Sequence, residues 1–224
     1  MSLALELVGV RKRFMINGRK RQPLYRELFK LGRIGNNADT VAALDGVDLK
    51  LERGARVGIV GRNGAGKTTL LRVIAGIHQA EEGTVQVNGD VGCLFGPKAG
   101  VMPTLSVLDN LFLNSAALGL TLQEAKDGVD EILSFAQIED KKFTRLEQLS
   151  YGTAQRLFYG VTLHAMNLRK AQVYVFDEWL SGVDHRFREK GEQALLDALA
   201  PDDTILIASH DIESLERLCT HTIE

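Results

Sequence analysis

Cysteine is nearly absent. The 224-residue chain has two, Cys93 and Cys219, far apart and outside any CxxC or histidine-spaced pattern, which argues against a disulfide framework or a thiolate metal site. No apolar run approaches the roughly 18 residues that a membrane helix needs. The N-terminus, Met-Ser-Leu-Ala-Leu-Glu-Leu, places apolar residues ahead of basic ones. A secretory signal has the reverse order, so none is read here. Net charge is only −2, from 27 basic and 29 acidic side chains, and gives no global basic surface for nucleic acid. Internal repeats and interdomain linkers are also missing. What is there, 45% hydrophobic and 25% charged residues, fits one α/β domain with its own core and excludes collagen-like or wholly disordered chains.

The charge is unevenly spread. Residues 11–33 hold nine basic side chains against one acid, Glu27, leaving 18 basic and 28 acidic residues elsewhere, a net −10. A basic segment on an acidic body suits an anionic local partner such as phospholipid headgroups, and equally a solvated charged loop. Within it, Leu24, Leu28 and Leu31 recur at helical spacing while Arg26 and Lys30 face away, so a short amphipathic helix is expected over about 19–34, entered through Pro23 and ended by Gly32.

Elsewhere strands and helices alternate, which predicts a largely parallel core sheet. Leu3–Leu7 reads as a strand leading to Arg11–Phe14, and Val41–Leu51 as strands around a turn at Asp45-Gly46. Ala55–Val60 is a continuous apolar strand that opens into a glycine-rich turn and the helical run Thr68–Ala75, stopped by Gly76. Thr84–Val87 is a further strand. From about 104 to 168 the period is helical, with a capping box at Thr121–Glu124 followed by Ala125, Val129, Ile132, Leu133 and Ala136 on one face. Strands return at Gln172–Phe176 and Thr204–Ala208.

The chemistry concentrates at the strand ends. Gly61-Arg62-Asn63-Gly64-Ala65-Gly66-Lys67-Thr68 matches GxxxxGK[ST], between a buried strand and a helix. In that setting Gly61, Asn63, Gly64, Ala65, Gly66 and Thr69 offer backbone N–H groups to phosphates, Lys67 bridges the β- and γ-phosphates, and Thr68 ligates Mg²⁺. Val173–Phe176 then delivers two acids: Asp177 to hold Mg²⁺, mostly through its waters, and Glu178 as general base on an attacking water. His210, just past the strand Thr204–Ala208, sits on the ligand edge of such a sheet and can hold Glu178 and the water in place. A nucleoside triphosphate and Mg²⁺ are the ligands this set calls for.

Leu149-Ser150-Tyr151-Gly152-Thr153 has its glycine 25 residues before Asp177, and Ser181-Gly182-Val183-Asp184 follows Glu178. The first resembles the signature motif of ATP-binding cassette (ABC) ATPases in a Ser-x-Gly form, and the second resembles their D-loop. The order Lys67, Ser150, Asp177, Asp184, His210 is similar to that family over essentially the whole chain. No NKxD base-recognition motif is present, which separates the chain from small GTPases. The family's fold is then the expectation for residues 1–224: a P-loop ABC ATPase domain with a mostly parallel core sheet, an antiparallel β subdomain and a helical subdomain at about 104–168. The resemblance implies that Ser150 and Gly152 meet the nucleotide of a second copy, giving an ATP-sandwiched homodimer that drives membrane permease subunits. The run Gly61–Leu71, the Ser-x-Gly signature followed by Arg156-Leu157, the run Asp177–Ser181 and the inserted basic segment resemble the exporters of O-antigen, capsule and teichoic acid. That subgroup implies a polysaccharide cargo, a place on the cytoplasmic face of the cytoplasmic membrane and no nucleic-acid partner. Lipid or drug export, or an ATP-gated regulatory module, are the alternatives.

Some positions depart from the family pattern. The segment Val91–Gly100 lacks the glutamine that the family uses to sense Mg²⁺ and couple to the permease, reading Cys93-Leu94-Phe95-Gly96-Pro97-Lys98, and Gln86 comes too early. Tyr151 replaces a signature glycine. Phe14 falls where an aromatic stacks on adenine, and serves equally well as a core residue. Some relatives continue into a glycan-recognition domain, and with Thr222-Ile223-Glu224 falling inside an expected final strand, a truncated chain lacking a C-terminal domain is the expectation. Charge reversal at Arg26 and Lys30 is expected to impair membrane assembly, read as co-sedimentation with membranes, while ATPase activity in solution stays intact. Normal assembly would leave the segment a solvated face.

Overall fold

The computed structural model describes residues 2–15, 40–95 and 101–224. The basic helix expected over about 19–34 lies outside them, as do Gly96, Pro97 and Lys98.

Two sheets form. Strands β1 (Leu3–Met15), β2 (Thr40–Glu52) and β4 (Glu82–Val87) pair antiparallel in the order β2-β1-β4. Strands β3 (Arg56–Ile59), β5 (Val91–Phe95), β6 (Val173–Asp177), β7 (Thr204–Ala208) and β8 (His221–Ile223) pair parallel in the order β5-β6-β7-β3-β8. The apolar runs of β6 and β7 are buried along almost their whole length, as central parallel strands covered on both faces require. The expected turn at Asp45-Gly46 does not exist: β2 runs straight through it. Val10 faces Val47 while Arg11 faces Asp45, so Gly46, at φ +77°, is one extra residue on β2. It makes a bulge that twists the strand without ending its pairing.

Helix α1 (Lys67–Ile74) lies between the sheets and buries Leu70, Leu71, Val73 and Ile74 against Leu5, Leu7, Val10, Val57 and Val175. A second apolar cluster covers the other face of the parallel sheet. A third sits between α2 (Val107–Ala117) and α4 (Val129–Ala136), which α3 (Leu122–Asp127) connects in sequence. Helix α5 (Tyr151–Leu168) joins these two clusters, contributing Leu157, Phe158 and Val161 to one and Tyr159, Leu163 and Met166 to the other. The capping box at Thr121 forms as expected, the Glu124 carboxylate accepting from the Thr121 N–H at 2.7 Å and the Thr121 hydroxyl accepting from the Glu124 N–H at 3.2 Å. Helices α6 (His185–Ala198) and α7 (Ile212–Leu218) complete the layer behind the parallel sheet.

Register decides where function can sit. Ile59 pairs with Ala208, Ala208 with Asp177, and Asp177 with Phe95, so β3, β7, β6 and β5 end level at their C-terminal edge. The turns that follow them emerge together, the usual place for a ligand in an α/β sheet. Leu71 is fully buried between the two sheets whereas Leu122 is 61% exposed. Leu71→Ala should therefore lower the free energy of unfolding in urea by about 2–5 kcal/mol, and Leu122→Ala by no more than about 0.5 kcal/mol. Equal losses would contradict the two-sheet sandwich around α1.

Candidate functional site

The turn after β3 is built for an anion. Its last residue before α1 is Gly66 at φ +101°, and a Cβ there would stand 2.3 Å from the carbonyl oxygen of Ala43. Only glycine fits that close approach. No side chain caps α1, so the N–H groups of its first turn are left to whatever occupies the loop. The Lys67 ammonium folds back over the turn, donating to the carbonyls of Gly61 at 2.7 Å and Arg62 at 3.1 Å.

Two carboxylates face this turn. The Thr68 hydroxyl donates to Asp177 Oδ2 at 2.7 Å. The next residue, Glu178, has φ +57°, a left-handed conformation uncommon for a side chain of its size, and donates its N–H to the Ala208 carbonyl at 2.8 Å. Glu178 Oε2 lies 2.8 Å from His210 Nδ1 but outside hydrogen-bonding angle, so among the described residues this buried oxygen has no hydrogen-bond donor. A buried carboxylate oxygen without a partner is costly unless a ligand or water completes it. Asn63, Gly64, Ala65, Gly66, Lys67, Thr68, Thr69, Asp177 and Glu178, with Val41 and Ala43, line a cleft of about 280 Å³.

Phe14 is not in that lining. It is 39% exposed, which excludes the core reading, and its ring meets His78 edge-on at 5.5 Å with the Lys12 ammonium 5.6 Å away. It pairs across the sheet with Val41, which does line the cleft. Gln86 sits in β4 opposite Glu6, donating to Asn88 at 3.2 Å, in the other sheet from the carboxylates. Phe95, inside the segment that lacks the glutamine, pairs with Asp177.

The remaining expected residues gather in a second cluster. Ser150 N-caps α5, its hydroxyl accepting from the Thr153 N–H at 3.2 Å. Gly152 presses on the loop after Glu178: a Cβ there would stand 2.8 Å from the Gly182 carbonyl oxygen. Tyr159 donates to the Ser181 carbonyl at 3.1 Å, and burial pushes its phenol up to about 12, so it stays a donor. Asp184 N-caps α6, accepting from the Phe187 N–H at 3.1 Å, and is ion-paired with Arg156. The Phe187 N–H first, and the Arg156 guanidinium after it, hold this carboxyl below the usual range. Ser150, Gly152 and Asp184 are absent from the cleft lining. One chain thus presents two separate surfaces, a phosphate-shaped turn and a helix N-terminus, linked by residues 178–184.

Arg156, Arg188 and Asp211 are structural participants that sequence reading does not single out as such. Arg188 Nη1 lies 2.5 Å from Asp211 Oδ2. The only available signal was position, Arg188 one helical turn after Asp184 and Asp211 next to His210. Among the described residues no cluster of three or more histidine, cysteine or acidic side chains could hold a metal alone. The Thr68 hydroxyl and Asp177 carboxylate are instead two hard oxygen donors of the kind Mg²⁺ takes alongside water and phosphate.

The model of the ABC transporter family matches residues 44–181. The chain belongs to the ABC transporter family. Among its curated relatives, the O-antigen export system ATP-binding protein RfbE of Yersinia enterocolitica is 36% identical over 84% of this chain and 78% of that protein. The O-antigen export system ATP-binding protein RfbB of Myxococcus xanthus is 32% identical over 84% of this chain, and the teichoic acids export ATP-binding protein TagH of Lactococcus lactis is 29% identical over 86%. The chain spans 42% and 40% of the length of those two. The ABC fold is also that of the dimeric post-hydrolysis structure of the ATP-binding cassette MJ0796 bound to ADP and Pi, with a TM-score of 0.71 and 20% identity over 98% of this chain and 96% of that one. Among the described residues of this ABC chain no helix is long and apolar enough to cross a membrane.

Proposed function

We propose that this chain is the ATP-hydrolysing subunit of an ABC exporter that moves a lipid-linked polysaccharide across the cytoplasmic membrane. The observation that carries hydrolysis is the placement of Glu178: its carboxylate lines the cleft at the phosphate-shaped turn and lies 2.8 Å from His210, with no hydrogen-bond donor to that oxygen among the described residues. The polysaccharide cargo is supported by the likeness to O-antigen and teichoic acid export proteins.

In this reading Gly61, Asn63, Gly64, Ala65, Gly66 and Thr69 cradle the phosphates with backbone N–H groups. Lys67 leaves the carbonyls of Gly61 and Arg62 to meet the β- and γ-phosphates. Thr68 and Asp177 would hold Mg²⁺, which neutralises charge on the phosphate oxygens. Glu178 accepts a proton from water as its oxygen attacks the γ-phosphorus. The bond to the β–γ bridging oxygen breaks, and the electron pair leaves with ADP. His210 orients Glu178 and the water. Phe14, beside Val41, offers a face for adenine.

The N-terminus of α5 is the second half of the reading. With Ser150 as its cap and Gly152 in its first turn, it is an anion site that a γ-phosphate suits. Since Ser150, Gly152 and Asp184 stand outside this chain's own cleft, two copies arranged about a twofold axis would complete two sites. The dimer closes on ATP and reopens after hydrolysis, and permease subunits convert that cycle into transport. The chain then works peripherally at the cytoplasmic face of the membrane.

Glu178→Gln tests both parts. Purified, it should bind ATP but turn over about 10²–10⁴-fold more slowly. In the native host it should remove surface glycan and accumulate lipid-linked glycan inside. Wild-type turnover would overturn the base assignment. Unchanged surface glycan, with the variant expressed and no second exporter, would mean a lipid or other cargo.

A further inference from the structure

His210 is an exposed side chain that needs an exact place. Its imidazole is 76% exposed, and among the described residues its ion-pair partner is the Glu178 carboxylate. Side-chain packing therefore does little to fix it, and its position depends on the backbone of residues 209–211. Ser209 anchors one side: it is buried, and its hydroxyl accepts from the Asp211 N–H at 3.0 Å.

Asp211 anchors the other side with both oxygens. Oδ1 accepts from the Ser214 N–H at 3.2 Å and caps α7. Oδ2 takes Arg188 Nη1 at 2.5 Å, with both side chains only 26% exposed. The cap alone needs no charge, since asparagine caps a helix as well as aspartate does. The second oxygen is thus committed to Arg188, and through it to α6.

The first turn of α6 is itself held. Arg188 donates its backbone N–H to the Asp184 carbonyl at 3.0 Å, and the Asp184 carboxylate is ion-paired with Arg156 of α5. Between them Phe187, 2% exposed, lies under the Arg156 guanidinium at 5.0 Å and against Phe135 at 5.3 Å. A bond to a fixed turn can transmit position, which a bond between two free side chains cannot. The pair is only partly shielded from solvent, which limits what it adds to stability, so placement is what the Arg188–Asp211 pair chiefly offers.

We propose that Arg188 is a positioning residue for ATP hydrolysis: through Asp211 it sets where the His210 imidazole meets Glu178. The inference rests on the hydrolytic reading above. It also makes the α6 turn a common mount, so that His210 and the α5 segment carrying Ser150 are referred to the same residues of one chain.

The test is a double-mutant cycle on the purified chain, with kcat and KM for ATP measured separately. Arg188→Gln should lower kcat roughly three- to thirtyfold, within the range of coupled neighbours, with KM for ATP and the thermal midpoint nearly unchanged. Arg188→Lys should recover most of the loss. Asp211→Asn, which keeps the cap and removes the charge pair, should reproduce the Arg188→Gln effect and serves as the second variant if Arg188→Gln folds poorly. In a His210→Gln background, Arg188→Gln should add no further loss. If instead it multiplies the His210→Gln loss by its full factor, or if Asp211→Asn hydrolyses at the wild-type rate, the proposal is overturned. A wild-type kcat for His210→Gln alone would overturn the role of His210 as well, and so separates failure of the hydrolytic reading from failure of the positioning claim.

Discussion

The hydrogen bond from the Thr68 hydroxyl to Asp177 is the contact on which the rest of the site depends. It spans β7, joining the helix that follows β3 to the end of β6. It can form only because four parallel strands end level. A slip of β6 by one residue against β7 would turn Asp177 to the opposite face of the sheet, since strand side chains alternate. Burial enforces that register. The strand residues Val173, Val175, Leu206 and Ala208 are sealed against α1, and Tyr174, Phe176, Ile205 and Ile207 against the outer helices. The hydrophobic pattern therefore fixes a polar geometry that it does not itself contain.

From Asp177 the chain makes an abrupt turn. Glu178 and Leu180 both carry left-handed backbone conformations, which cost about 1–3 kcal/mol each for residues of this kind. The surrounding contacts offset that cost: Glu178 N–H on the Ala208 carbonyl, Tyr159 on the Ser181 carbonyl, Gly152 packed on Gly182, and Leu180 and Trp179 buried among aromatics. Strain held at a carboxylate whose buried oxygen has no hydrogen-bond donor among the described residues is the arrangement expected of a site prepared for a ligand. The same turn leads within a few residues to Asp184 and α6, which places the phosphate-facing and signature-facing surfaces of the chain in mechanical contact.

Much of this is legible in the sequence, for identifiable reasons. The turn 61–68 and the acid pair at 177–178 are local patterns whose neighbours in sequence are also their neighbours in space. The capping box at Thr121 and the apolar face from Ala125 to Ala136 are local as well. What sequence reading misses is non-local or conformational. A glycine between apolar residues signals a turn or a bulge, and at Gly46 only pairing with β1 decides between them. Arg188 and Asp211 are 23 residues apart and carry ordinary charges, so nothing before folding pairs them. Phe14 is a third kind of case. Its strand is legible, but whether its ring enters the core depends on the exposed edge where β1 ends. The departure at Val91–Gly100 stands: Phe95 reaches Asp177 without a glutamine before it, and Gln86 stays in the antiparallel sheet.

The central claim is that the α5 N-terminus completes the site of a second copy. Sedimentation of the purified chain tests it most directly, with ATP binding measured in parallel. Glu178→Gln with ATP is expected to run as a dimer, and the double variant Glu178→Gln with Ser150→Arg to bind ATP and remain a monomer. A dimer that persists with Ser150→Arg, or a Glu178→Gln chain that binds ATP and never dimerises, would contradict the sandwiched arrangement.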